Sequence, residues 1–235
     1  IENFVKCKAC FYMEQVEGIK FPSIPGFNIN EATDILLKRD FDKYREIGEP
    51  HPFLVATGRD FLIPFSHEHF ELWTQSLHFG AKDRLNFVDP KTNLKVGGGL
   101  DDVWLNINTN CLHIVDYKST SQKSDKGPIT LDDPWKASYK RQMDLYVWVL
   151  RKKGFHVDDV GYFLYCDGDR FSNYDFLSST AASMNFKITL IDYKTNDGWI
   201  EPTLQDISEC LNESKRPLHS DYCEYGKFLT QSLNQ

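Results

Sequence analysis

From residue 96 to residue 154 the pattern of apolar and polar positions changes character twice. Cys111-Leu112-His113-Ile114-Val115 has the β-branched and large apolar composition of a buried strand. With the stretch before it, it predicts two strands, over 96–106 and 111–119, joined by a polar turn. A helix over 134–153 follows. Asp133 is its expected N-cap, Pro134 its first residue, and Gly154 stops it after Arg151-Lys152-Lys153. Its C-terminal half carries Leu145, Val147, Trp148, Val149 and Leu150, which predicts burial. Earlier, Ile35, Leu36, Leu37, Phe41 and Tyr44 fit an amphipathic helix behind an Asn30 cap, and Phe70-Glu71-Leu72-Trp73 also reads as helical.

The second strand ends in charge. Asp116-Tyr117-Lys118 closes the apolar run, and Asp101 lies fifteen residues before Asp116. Strand side chains alternate, so Asp116 and Lys118 point the same way. Charge on a buried segment is costly unless it is paired, bound to metal or used. Two carboxylates and an ammonium at a sheet edge suit a hard divalent cation and the water it activates. An ion pair or a solvated face is the plainer alternative. The chain carries its own control in Ile191-Asp192-Tyr193-Lys194. That copy has no Gly-x-x-Asp partner upstream, and polar Thr195-Asn196-Asp197-Gly198 follows it. It is expected to be a strand end facing water. On the helix, Gln142 and Tyr146 lie four residues apart on one face.

Gly98-Gly99-Leu100-Asp101, then Val115-Asp116-Tyr117-Lys118, then Gln142-Met143-Asp144-Leu145-Tyr146 resemble in order and spacing the motifs of the PD-(D/E)xK nuclease superfamily. The resemblance is to its RecB-like and Cas4-like branch, where they read G-x-x-D, (D/E)-x-K and Q-x-x-x-Y. It implies an α/β fold with a restriction-endonuclease-like core, a mixed central β-sheet flanked by helices, as a single domain over 1–235 with its motif core at 96–150. It implies a Mg²⁺- or Mn²⁺-dependent deoxyribonuclease, a RecB/Cas4-like exonuclease. DNA would be its substrate, and helicases or other DNA-processing proteins its partners. Asp101, Asp116 and the Tyr117 carbonyl would hold the cation. Lys118 would orient the attacking water or neutralise charge developing on phosphorus, and Gln142 and Tyr146 would position Lys118 and the nucleic-acid backbone. The branch also uses a residue of the first helix. Asp34 is the choice here, with Glu31, Asp40 and Asp42 as alternatives.

Related nucleases hold an iron–sulfur cluster on four cysteines, one set early and another late. This chain has Cys7 and Cys10 early and Cys223 late, with Gly226 where a further cysteine would be expected. Cys210 or His219 could complete a metal site; buried free thiols are the alternative. The close approach of Cys223 to Cys7 and Cys10 is expected, an intact four-cysteine cluster is not.

A net charge of −7 opposes tight phosphate binding, which draws on cations. A local basic strip of Lys118, Lys123, Lys126, Lys136, Lys140 and Arg141 could offset this, although a solvated helix face explains the last three equally well. His67-Glu68-His69 could chelate zinc only if extended, and a structural or surface role is expected. Six cysteines at irregular spacing, no basic and apolar leader, and no apolar run of about 18 residues together suggest a soluble protein of the reducing cytoplasm. A nucleic-acid-binding or accessory protein that keeps this fold without cleaving would share every motif. A metal-dependent phosphatase is a further rival, without a glycine-rich phosphate cradle or a second carboxylate cluster to support it.

Overall fold

The computed structural model describes residues 1–21, 28–74, 84–122 and 127–233. The chain divides into two compact units, one of Phe27–Asn86 and Gly97–Asn196, the other of Ile1–Gly26, Phe87–Val96 and Asp197–Gln235. No linker marks the division, because the second unit is assembled from three separated stretches.

The first unit is a mixed five-stranded sheet flanked by helices. It comprises helix α3 (Asn28–Ile47), the short helices α4 (Pro52–Ala56) and α5 (Phe70–Trp73), strands β1 (Leu62–Pro64), β4 (Asp102–Asn106), β5 (Cys111–Thr120), β6 (Val160–Gly168) and β7 (Phe186–Lys194), and helix α6 (Ala137–Lys152). The sheet order is β1-β4-β5-β6-β7. β5 pairs antiparallel with β4 and parallel with β6. A parallel pair needs a crossover, which α6 supplies between β5 and β6. Neighbours on both sides bury most of β5, which explains its near-continuous apolar run. Phe41 of α3 packs with Trp104, Val115 and Tyr117 on one face of the sheet. On the other, Met143 of α6 lies so close to Gly161 that a Cβ there would meet its sulfur at 2.6 Å. Strand alternation therefore puts Ile114, Asp116 and Lys118 on the α6 face and Val115 and Tyr117 on the α3 face.

Several boundaries differ from the expectation. The strand over 96–106 is two elements, β3 (Lys95–Gly97), which pairs with β2 (Asn86–Val88), and β4, with the glycine-rich loop between β3 and β4. The Leu100 amide bonds to the Trp73 carbonyl at 2.8 Å instead of joining a ladder. Asn30 lies inside α3 and does not cap it. Residues 134–136 form a 3₁₀ turn ahead of α6, and Asp133 precedes it without a side-chain cap bond. Gly154 does end the helix, at φ 93°, in the left-handed region that suits a glycine.

In the second unit, α1 (Glu2–Lys6), α2 (Lys8–Gln15), α7 (Ile200–Leu211) and α8 (Glu224–Leu233) bury Phe4, Phe11, Met13, Leu204 and Ile207. The apolar spacing of α7, with Ile200, Leu204 and Ile207 on one face, gives it the stripe it buries. The Tyr12 hydroxyl donates to the Glu213 carbonyl at 2.9 Å, joining early and late segments. No helix among the described residues is long and apolar enough to cross a membrane.

Candidate active site

Asp101 and Asp102 are neighbours with opposite tasks. Asp102 opens β4 and turns to the α3 face, where it is fully buried. Its carboxylate accepts from the Arg45 guanidinium at 2.5 Å, the Tyr117 hydroxyl at 2.7 Å and the Trp104 indole at 3.1 Å. That network satisfies the buried charge and fixes where β4, β5 and α3 meet. Asp101, one residue earlier, accepts from the Tyr117 amide at 2.8 Å.

Asp116 is buried in β5 and forms an ion pair with Lys118. Burial raises the pKa of Asp116 against the pull of Lys118, while burial and the Asp116 charge push Asp101 up to about 7. Burial works to lower the Lys118 pKa, but Asp116 and Asp101 outweigh it and hold it above the ordinary lysine value. The two carboxylates thus favour the ammonium form of Lys118, which suits it to stabilise negative charge. It also donates to the Tyr117 carbonyl at 3.2 Å and sits 4.7 Å from the centre of the Tyr139 ring.

α3 brings the third carboxyl. Ser119 donates to Asp34 at 3.5 Å and contacts the Thr33 hydroxyl. Burial, then the Asp101 charge, raises Asp34 to about 6, with Lys118 and Ser119 opposing. The alternatives are engaged elsewhere or exposed: Asp40 binds Lys43 and His51, Asp42 binds Lys38 and Arg45, and Glu31 faces solvent. Oxygen donors with surplus negative charge fit a hard divalent cation.

α6 lines the far side. The Gln142 amide donates to the Tyr146 hydroxyl at 3.0 Å. Burial and the nearby Asp101 and Asp116 charges keep Tyr146 protonated. Gly98 explains the first letter of its motif, since a Cβ there would lie 2.9 Å from the Tyr146 ring and hydroxyl. No family model, curated protein or solved structure matches this chain.

Among the described residues, the candidate basic strip is in part engaged elsewhere. Lys123 and Lys126 lie outside the described residues. Lys118 is paired with Asp116, and Lys136 is buried against Asp133 at 3.0 Å and the Thr130 carbonyl at 2.5 Å. Lys136 is thus neither solvated nor free, and Lys140 and Arg141 are half-buried. A groove of about 490 Å³ instead opens beyond Lys118, lined in part by Thr120, Gln122, Trp135, Tyr165 and Arg170. Of the candidate histidines, His67 stacks on Trp73 with ring centres 4.5 Å apart.

Cys7, Cys10, His219 and Cys223 of the other unit gather their ligand atoms within 4.8 Å of one another and could hold a metal. Burial raises the Cys7 thiol, but hydrogen bonds from the Cys10 and Ser220 amides and from His219 outweigh it and bring it to about 6. Cys210 is buried outside this group.

Sequence reasoning named Asp101, Asp116, Lys118, Gln142, Tyr146 and Asp34 but passed over Tyr139. That residue stands three before Gln142 and seven before Tyr146, so its helical phase was a usable signal. The Arg45–Asp102 pair left no such signal, because it spans two elements whose register the sequence does not state.

Proposed function

We propose that the unit built on the five-stranded sheet is a divalent-metal-dependent nuclease that hydrolyses DNA phosphodiester bonds, with a restriction-endonuclease-like core of the RecB-like and Cas4-like kind. The observation that carries this reading is the convergence of Asp101, Asp116 and the Lys118 ammonium on one face of β5, with Asp34 close enough to feel the Asp101 charge.

Asp101, Asp116, the Tyr117 carbonyl and Asp34 would hold Mg²⁺ or Mn²⁺. The cation would supply Lewis-acid polarisation of the phosphate. Lys118 keeps its proton and so stabilises the negative charge that develops on phosphorus during in-line displacement by water. Tyr146, protonated and fixed by Gln142, offers an O–H to a phosphate oxygen and orients the scissile group. Gly98 keeps the loop clear of that tyrosine.

The groove beyond Lys118 supports a polymer over a small phosphate ester. Trp135 is 57% exposed beside it, in position to stack on a base, and Arg170 can pair with a backbone phosphate. The net charge of −7 then predicts weak, salt-sensitive and metal-assisted binding. The test is incubation with end-labelled single- and double-stranded DNA, with and without Mn²⁺. The proposal expects cleavage only with the cation; a protein that binds DNA in a gel-shift assay yet never cuts it at any Mn²⁺ concentration would belong to the non-cleaving accessory class.

A further inference from the structure

The cysteine–histidine group owes its form to three local features. Cys7 ends α1 and precedes α2 with an extended backbone, φ −163° and ψ 112°, so the chain bends there. Cys10 lies in the first turn of α2, which turns both thiols to one side. Cys223 stands immediately before α8, four residues after His219.

The distances suit one small ion. Zinc bonds thiolate at about 2.3 Å and imidazole at about 2.0–2.1 Å, so a tetrahedral site has S···N edges of about 3.5 Å and S···S edges of about 3.8 Å. His219 Nδ1 lies 3.5 Å from Cys7 Sγ, 3.6 Å from Cys10 Sγ and 3.6 Å from Cys223 Sγ. Cys10 Sγ and Cys223 Sγ are 3.3 Å apart, inside the thiolate edge, so this pair would open slightly around an ion. An Nδ1–H could serve one sulfur well, but not three arranged around it. A ring nitrogen at nearly equal distance from three sulfurs is a metal ligand's arrangement.

Gly226 is the independent observation. A Cβ at this position would lie 2.6 Å from both Cβ and Cγ of His219. The Gly226 amide donates to Cys223 Sγ at 3.2 Å, the kind of outer hydrogen bond that tunes a thiolate ligand. Any side chain at 226, a cysteine included, would displace the imidazole. The position that provides no ligand thus makes room for one.

We infer that Cys7, Cys10, His219 and Cys223 bind a single zinc ion that ties residues 1–15 to residues 219–233 within their unit. A four-iron cluster does not fit. Each of its ligands would bind a separate iron, so the four donor atoms would stand farther apart than the 4.8 Å within which these lie. This inference is independent of the nuclease reading, which concerns the other unit.

The test is metal analysis of the full chain, purified without chelator, by mass spectrometry, with a parallel sulfide assay. One zinc per chain, without stoichiometric iron or labile sulfide, is expected. Chelator-treated protein should take up Co²⁺ with the intense visible bands of a tetrahedral thiolate site. Gly226→Ala should weaken zinc binding by about 10- to 100-fold, and His219→Ala further still. His219→Cys, which keeps four ligands, should retain zinc and shows whether the His219→Ala loss reflects the ligand or the fold. Iron with equimolar sulfide, no zinc uptake by chelator-treated wild type, or a Cys10–Cys223 disulfide in freshly purified protein would overturn the inference.

Discussion

Val115-Asp116-Tyr117-Lys118 on β5 and Ile191-Asp192-Tyr193-Lys194 on β7 differ by one aliphatic residue and meet different fates. Their tyrosines behave alike: Tyr117 donates to buried Asp102, and Tyr193 bonds to buried Asp144. The flanking charges do not. β5 is central, and Asp116 is 2% exposed beside Asp101 and Lys118. β7 is the sheet edge. There the Asp192 side chain is 54% exposed, its ion-pair partner Arg59 2.8 Å away, and Lys194 faces solvent. An exposed pair contributes little, whereas a buried excess of carboxylate favours a cation. Place in the sheet gives the tripeptide its chemistry.

The largest expected difference between the copies is in turnover. Asp116→Ala and Lys118→Ala should each lower DNA cleavage by at least about a hundredfold while retaining the circular dichroism spectrum of the folded protein. Wild-type turnover in either variant would remove the first copy from the site.

Stability separates Asp101 from its neighbour. Asp102→Ala removes the buried carboxylate shared by Arg45, Tyr117 and Trp104, leaving Arg45 only Asp42 as an acidic partner, and should cost about 3–5 kcal/mol, read as a shift in the denaturant midpoint. Asp101→Ala should leave that midpoint close to wild type and remove cleavage. Gln142→Ala should follow, with about 10- to 100-fold slower cleavage, because it loosens Tyr146 without removing a cation ligand.

A subtler difference lies in pH. Asp34 and Asp101 have folded-state pKa values of about 6 and about 7, above their ordinary 3.8. Raised carboxyls stabilise the fold at low pH, and that contribution is lost as pH climbs through the folded values. In the metal-free protein, the melting temperature of the wild type should therefore fall relative to Asp34→Asn between about pH 4 and pH 6. Mg²⁺ should reverse the loss at the upper end. A difference constant across that window would separate Asp34 from the acidic cluster. Smallest of all, Asp192→Ala and Lys194→Ala should change stability by no more than about 0.5 kcal/mol and leave cleavage unaffected.

What the sequence revealed and what it hid follow from the range of each interaction. The apolar run of β5, the buried half of α6 and the stop at Gly154 are local, and they were legible. So was the contrast between the two Asp-Tyr-Lys copies, through the hairpin before one and the polar stretch after the other. The break at Gly97-Gly98-Gly99 was not, because the hydrogen bond from the Leu100 amide to the Trp73 carbonyl and the clearance for Tyr146 decide it. Asp101 could be told from Asp102 by motif spacing alone. The reason for the distinction, opposite faces of one strand end with Arg45 waiting on one of them, requires the register of β4 on β5. His219 stood among the alternatives beside Cys210, and only the fold chooses between them.

The most direct test of the central claim is a Mn²⁺ titration of end-labelled DNA cleavage with wild type, Asp116→Ala and Asp192→Ala side by side. Wild type and Asp192→Ala should cut only with the cation, and Asp116→Ala should not cut at all. Cation-independent cutting, cutting that survives Asp116→Ala, or loss of cutting only in Asp192→Ala would contradict it.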